Sequence, residues 1–122
     1  MYGSSMFVYD GATAVDDDTV PSPRLAYGRA KLDAEAALAK TAVTGGPTVS
    51  NIRLPHVYGP QSLLFGLVRR RLVLFPGLGD NPFAQLHVED AAAVLVAAAV
   101  QRWSGTAPVA DWRRAATRAS CR

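Results

Sequence analysis

The sequence has little of what staples, metals or membranes require. A single cysteine, Cys121, stands among 122 residues, so no internal disulfide can form. It has no Cys or His neighbours at ligand spacing, which excludes a structural zinc site as well as a stapled secreted scaffold. The two histidines, His56 and His87, stand singly, so a structural or substrate-lining role is expected of each and no metal site. The longest uncharged apolar run, Ala91 to Val100, has ten residues, against the roughly 20 that a membrane span needs. Met1 to Ser5 lacks the basic start and apolar centre of a signal peptide. No internal repeat is visible. These absences predict a soluble, cytoplasmic chain with no membrane partner.

Basic charge is also scarce where it would matter for nucleic acid. Thirteen basic residues stand against ten acidic ones, but four of the basic residues are arginines between Arg113 and Arg122. Without that tail, nine basic residues face ten acids, and the body is near neutral. No face of lysines and arginines with interleaved aromatics appears, so no nucleic-acid partner is expected. What is present is apolar material: 49% hydrophobic against 19% charged residues, enough for the core of one domain.

Strand and helix signals alternate along the chain. Tyr2 to Tyr9 reads as the end of a strand running into a loop, and Asp10 to Arg24, with Asp16 to Asp18, Pro21 and Pro23, as a surface loop. Leu25 to about Thr41 is rich in alanine and is closed by Gly45, Gly46 and Pro47, which predicts a helix. Val49 to Leu54 reads as a buried strand that Pro55 terminates, followed by a loop to Gln61. Ser62 is placed to cap a helix through Arg71, whose arginines complement its carboxyl end. Gln85 to Val88 reads as a strand, and Glu89 and Asp90 open an alanine-rich helix ending near Arg102. Ala107 to Ala110 starts one more strand. The alternation predicts an α/β fold with a largely parallel sheet. It spans residues 1–110, with a basic disordered tail at 111–122.

Tyr27 and Lys31 begin the clearest helix, four residues apart and therefore on one face. A free tyrosine has a pKa of about 10, so work as a base near neutrality needs it lowered by about 3, some 4 kcal/mol. One positive charge at about 4 Å in an effective dielectric of about 20 supplies that much. Spacing alone favours a tyrosine packed on the sheet and a solvated lysine, because Tyr and Lys four apart are common, and it is the context that shifts the reading.

The context around this pair resembles the extended short-chain dehydrogenase/reductase family, the NAD-dependent epimerases and dehydratases. Ser4-Ser5-Met6-Phe7-Val8-Tyr9 is similar to its Ser-Ser-x-x-Val-Tyr segment, and Tyr27 to Lys31 to its Tyr-x-x-x-Lys. Arg53 to Pro60 resembles its Arg-x-x-x-Val-Tyr-Gly-Pro stretch, and His87 to Ala91 its His-Val-x-Asp-hydrophobic start of a later helix. Four motifs in order make the resemblance specific. It implies that Tyr27 is the acid/base acting on a substrate hydroxyl during hydride transfer, and that Lys31 tunes it and holds the nicotinamide ribose of NAD or NADP. It implies that Ser5 binds the same substrate oxygen, that Pro55 and Val57 lie beside the nicotinamide, and that His56 contacts a small or sugar-like substrate. Homodimerisation through the helix bearing Tyr27 and Lys31 is implied, whereas pairing with another chain is expected of apolar sheet edges.

Two departures qualify what the resemblance implies. Asp10 stands where the family usually has glycine after Val-Tyr, and Phe83 and Ala84 stand where relatives that bind nucleotide sugars often carry an arginine. The family's Gly-rich strand-to-helix turn, which holds the pyrophosphate, has no counterpart here. Gly77-Leu78-Gly79 runs into Asp80-Asn81-Pro82 and opens no helix. The expected fold is therefore the later half of a Rossmann-like domain without the first dinucleotide-binding βαβ unit, and the isolated chain is expected to bind dinucleotide weakly or not at all. A non-catalytic α/β interaction module is the alternative. Ser5 lacks the Gly-x-Ser-x-Gly setting of a hydrolase nucleophile, and the Asp16 to Asp18 run lacks the glycine and distal glutamate of a calcium loop.

Overall fold

The computed structural model of the protein describes residues 1–10, 14–43, 45–71 and 84–111. Strand β1, Tyr2–Ser5, ends in a turn of 3-10 helix, Met6–Tyr9, and a loop then leads to helix α1, Ala26–Val43. Strand β2, Ser50–Leu54, follows, then β3, His56–Tyr58, and the short helix α2, Leu63–Arg69. Strand β4, Gln85–His87, runs directly into helix α3, Val88–Val100, and β5, Gly105–Pro108, comes last. The expected Gly- and Pro-rich stretch at 76–82 and the tail from 112 lie outside the described residues.

All strand pairs are parallel. One sheet has the order β1-β2-β5 and a second pairs β3 with β4. In the first, β2 is central and buried from Ser50 to Arg53, and Val8, Tyr9 and Ile52 are buried with it. Leu86 and Ala91 are the buried apolar residues of β4 and α3. The parallel α/β character is thus as the alternating signals predict.

Two local expectations are corrected. Pro55 does end β2, but the chain resumes extended structure at once, and His56–Tyr58 pairs with Gln85–His87 instead of forming a loop. The partner strand is distant in sequence, and a three-residue strand carries no pattern of its own. Ser62 occupies the cap position of α2, yet its hydroxyl makes no capping bond. At the other end of α1, Gly45 takes a φ of 84°, a left-handed conformation that glycine enters without steric cost. Among the described residues no helix is long and apolar enough to cross a membrane.

Candidate functional site

Because β1 and β2 are parallel and in register, Ser5 lies opposite Leu54 and both strands finish at the same edge. Pro55, His56 and Val57 follow Leu54 immediately, so four of the residues that the sequence singles out meet where the carboxyl ends of two strands meet. Ligands of open α/β sheets bind at that end. Ser5 is buried, and its hydroxyl accepts the Phe7 N–H at 3.2 Å. Pro55 and Val57 are half-buried and His56 is exposed.

Helix α1 starts at the same edge. The Tyr27 ring meets Phe7 edge-on, with centroids 5.8 Å apart and planes at 87°. Gly28 lets the helix come this close. A Cβ there would lie 3.0 Å from the Phe7 carbonyl carbon and nearer still to its oxygen. One turn on, the Lys31 ammonium donates to the Gly3 carbonyl at 3.0 Å and lies 5.1 Å from the Tyr2 ring centroid and 5.6 Å from that of Tyr27. Tyr27 is 54% exposed, so its ring is open to a ligand while one face meets the lysine. Tyr27 and Lys31 are therefore brought together, and Ser5 is joined to them through Phe7, whose N–H meets the serine and whose ring meets the tyrosine.

Behind this edge lies a buried polar cluster that sequence reasoning does not anticipate. Glu35, one turn past Lys31, accepts a two-pronged contact from Arg53 of β2, with Nε to Oε1 at 3.0 Å and Nη2 to Oε2 at 2.6 Å. Arg53 also donates to the Tyr9 hydroxyl and stacks over that ring at 4.9 Å, while the Ser4 hydroxyl donates to Glu35. Burial disfavours the charge on Arg53, but the hydrogen bonds and charges of Glu35 and Tyr9 outweigh it and hold the guanidinium above its ordinary pKa. The cluster ties β1, the 3-10 turn, α1 and β2 to one another. The two adjacent serines thereby differ: Ser4 uses its proton on Glu35, whereas Ser5 accepts from Phe7 and keeps its own O–H to donate.

The opposite end of the sheet is chemically plain. An open groove there is lined by Ala39, Ala42, Thr48, Asn51, Ser104 and Thr106, and none of these titrates. Across the β2–β5 seam, Asn51 donates to the Thr106 hydroxyl at 3.1 Å. His87, expected to be structural or to line a substrate site, accepts the Glu89 N–H at 3.3 Å and so caps α3, and its ring meets Tyr58 edge-on at 5.3 Å.

Residues 1–109 match the NAD dependent epimerase/dehydratase family. The chain belongs to that family. MoeE5 in complex with UDP-glucose and NAD is 33% identical and superposes with a TM-score of 0.73 over 88% of this chain and 40% of its own. TunA, an NAD-dependent NDP-hexosamine 5,6-dehydratase of tunicamycin biosynthesis, is 24% identical, with a TM-score of 0.77 over 94% and 42%. The UDP-N-acetylglucosamine 4-epimerase from Bacillus cereus is 22% identical, with a TM-score of 0.75 over 93% and 43%; the last two likenesses concern the fold. The chain spans about two fifths of the length of these structures. No curated protein matches it. As a member of this epimerase/dehydratase family it has a Rossmann-like fold, of which it forms a part.

The nicotinamide end of a dinucleotide suits what this family member presents. An ammonium has three donors, and the Gly3 carbonyl occupies one of those of Lys31, which leaves two for ribose hydroxyls. For the pyrophosphate the picture differs. Among the described residues, β1 runs into the 3-10 turn, β2 into Pro55, β4 directly into α3, and β3 reaches α2 through Gly59-Pro60-Gln61-Ser62 with a single glycine, so no Gly-rich strand-to-helix turn is formed.

Proposed function

We propose that this chain carries the catalytic part of an NAD- or NADP-dependent epimerase/dehydratase or oxidoreductase, acting at a hydroxyl-bearing carbon of a small or sugar-like substrate. The observation that supports it most is the Lys31 ammonium 5.6 Å from the centroid of the exposed Tyr27 ring, which itself meets Phe7, two residues beyond Ser5 at the carboxyl end of β1. In this reading Tyr27 takes the proton from the substrate hydroxyl through its phenol oxygen, or returns it. Lys31 stabilises the negative charge that the phenol acquires, and its two remaining donors hold the nicotinamide ribose. Ser5 donates its O–H to the same substrate oxygen and so orients the hydroxyl toward Tyr27. Pro55 and Val57 form the apolar wall beside the nicotinamide, and His56, exposed at the rim, contacts substrate. The dinucleotide, when bound, supplies the hydride acceptor or donor. That MoeE5 holds UDP-glucose and NAD supports a sugar-like substrate.

Without a described pyrophosphate turn, binding by this chain alone rests on the nicotinamide side and is weak, above about 10 µM. Turnover is therefore measured with dinucleotide in large excess and UDP-glucose as the test substrate, for the native sequence and for Tyr27→Phe. Loss of about a hundredfold or more on removal of that one hydroxyl is expected for an acid/base residue. A native chain with no turnover to lose abolishes the enzymatic reading. The second reading, a non-catalytic α/β module that pairs with another chain, then stands.

A further inference from the structure

We infer that Asp10 is a positioning residue that sets the start of α1, and with it Tyr27 and Lys31, relative to Ser5; the inference rests on the role proposed for those three residues. Helix α1 begins without a cap of its own. Leu25, whose carbonyl accepts the Arg29 N–H at 3.1 Å, holds the cap position, and its aliphatic side chain can accept nothing. No acid lies in the first turn. One oxygen of Asp10, Oδ2, takes over from 15 residues away, accepting the Arg24 N–H at 2.9 Å and the Leu25 N–H at 3.1 Å. Its negative charge also suits the amino end of the helix.

The base on which Asp10 stands is buried and bonded. It directly follows Val8 and Tyr9, which are 0% and 4% exposed, and Tyr9 is held by Arg53. The loop returning to the helix is fastened to the same segment, with the Ser22 N–H bonded to the Val8 carbonyl at 2.8 Å. The 3-10 turn begins immediately after Ser5, and the capped N–H groups lie two and three residues before Tyr27. A single carboxylate thus links the segment that presents the serine to the one that presents the phenol. Where the family resemblance sets a glycine, this chain has an acid that only a folded loop can bring to its target.

The test uses the full chain, Asp10→Ala and Asp10→Asn, and NMR. Asparagine lacks the charge but retains one carbonyl oxygen that can accept the same two N–H groups, so it should restore the position that alanine removes. Asp10→Ala is expected to speed amide exchange at Leu25 by about tenfold, the factor associated with a lost cap. It is also expected to reduce the upfield ring-current displacement of the Lys31 ε-methylene, which the Tyr2 and Tyr27 rings produce. In Asp10→Asn both signals return to native values, and exchange within β2 stays constant throughout. An unchanged Lys31 signal in Asp10→Ala overturns the inference even if Leu25 exchange accelerates. So does failure of Asp10→Asn to restore it. Loss of β2 protection together with that of α1 in Asp10→Ala also overturns it, by making the contact one of general stability. None of these readouts needs dinucleotide or turnover, so the roles of Asp10 and Tyr27 can fail separately.

Discussion

Helices α1 and α3 both pack against parallel strands, yet they are located by different means. The ends of α3 are built from its own neighbourhood. His87 caps it two residues ahead of the N–H it binds, and Glu89 and Asp90 sit in the first turn. Its exit is closed by Arg102 and Trp103, which bond to Ala99 and Ala98. Helix α1 is fastened from elsewhere: its start by Asp10, its third turn by Arg53 of β2 and Ser4 of β1, and its approach by contact between Gly28 and Phe7. A helix that carries only packing needs its ends defined. One that presents a phenol and an ammonium to a serine on another segment has to be fixed in translation and rotation, and long-range polar contacts do that because they are directional.

The largest break in this contrast is expected from Glu35→Ala. It leaves the Arg53 guanidinium buried without its carboxylate, which costs about 3 to 5 kcal/mol. Chemical denaturation measures the loss. Replacing both partners with apolar residues, Glu35→Leu with Arg53→Met, is expected to return most of the stability, because the penalty lies in the unpaired charge. If stability returns while the Tyr27 environment does not, the pair contributes location more than stability. If Glu35→Ala is silent, α1 is held no differently from α3.

The contrast also accounts for what is legible in the sequence. The extent of α1, the place of β2, and the shared face of Tyr27 and Lys31 follow from periodicity and punctuation that act within a few residues. Glu35 and Arg53 carry a readable trace. Glu35 lies on the same helical face as Lys31, and Arg53 sits between Ile52 and Leu54 in a strand that reads as buried, where a charge requires a partner. Which partner it finds depends on the crossover that lays α1 over β1 and β2. The Asp10 contacts are less legible still, because an acid in a loop looks the same whether or not it caps a helix 15 residues on. Strand β4 is legible at Gln85 to Val88, but β3 has no local signal, since it is three residues long and exists through its pairing with β4.

A middle-sized effect is expected from Gly28→Ala. The added methyl presses on the Phe7 backbone carbonyl, which cannot swing aside as a flexible side chain can. Overpacking of this kind costs about 1 to 3 kcal/mol, against the gain of up to about 1 kcal/mol that alanine brings to a helix interior. A net loss in thermal stability, together with a change in the Phe7–Tyr27 ring contact seen by NMR, is the expected outcome. Stabilisation with an unchanged contact would mean that the joint is looser than the geometry indicates.

The smallest effect has the opposite sign and belongs to α3. Its carboxyl end closes with the Trp103 N–H on the Ala98 carbonyl at 3.0 Å and the Arg102 N–H on the Ala99 carbonyl at 3.2 Å, the double bond pattern of a Schellman turn. That turn requires a left-handed residue, and Arg102 provides it at a φ of 51°. Glycine enters this region freely, whereas a side chain with a Cβ is strained there, so Arg102→Gly relieves about 0.5 to 1 kcal/mol after the flexibility it adds to the unfolded chain. A rise in the denaturation midpoint is expected, with no change at Tyr27 or Lys31, because the end of α3 is a local matter. The same substitution logic has no target at the start of α1, where the stabilising group is a distant carboxylate: improving Leu25 leaves the register of the phenol in the hands of Asp10. A shift of the Tyr27 or Lys31 signals in Arg102→Gly would show that the two helices are coupled and that the contrast between them is one of degree.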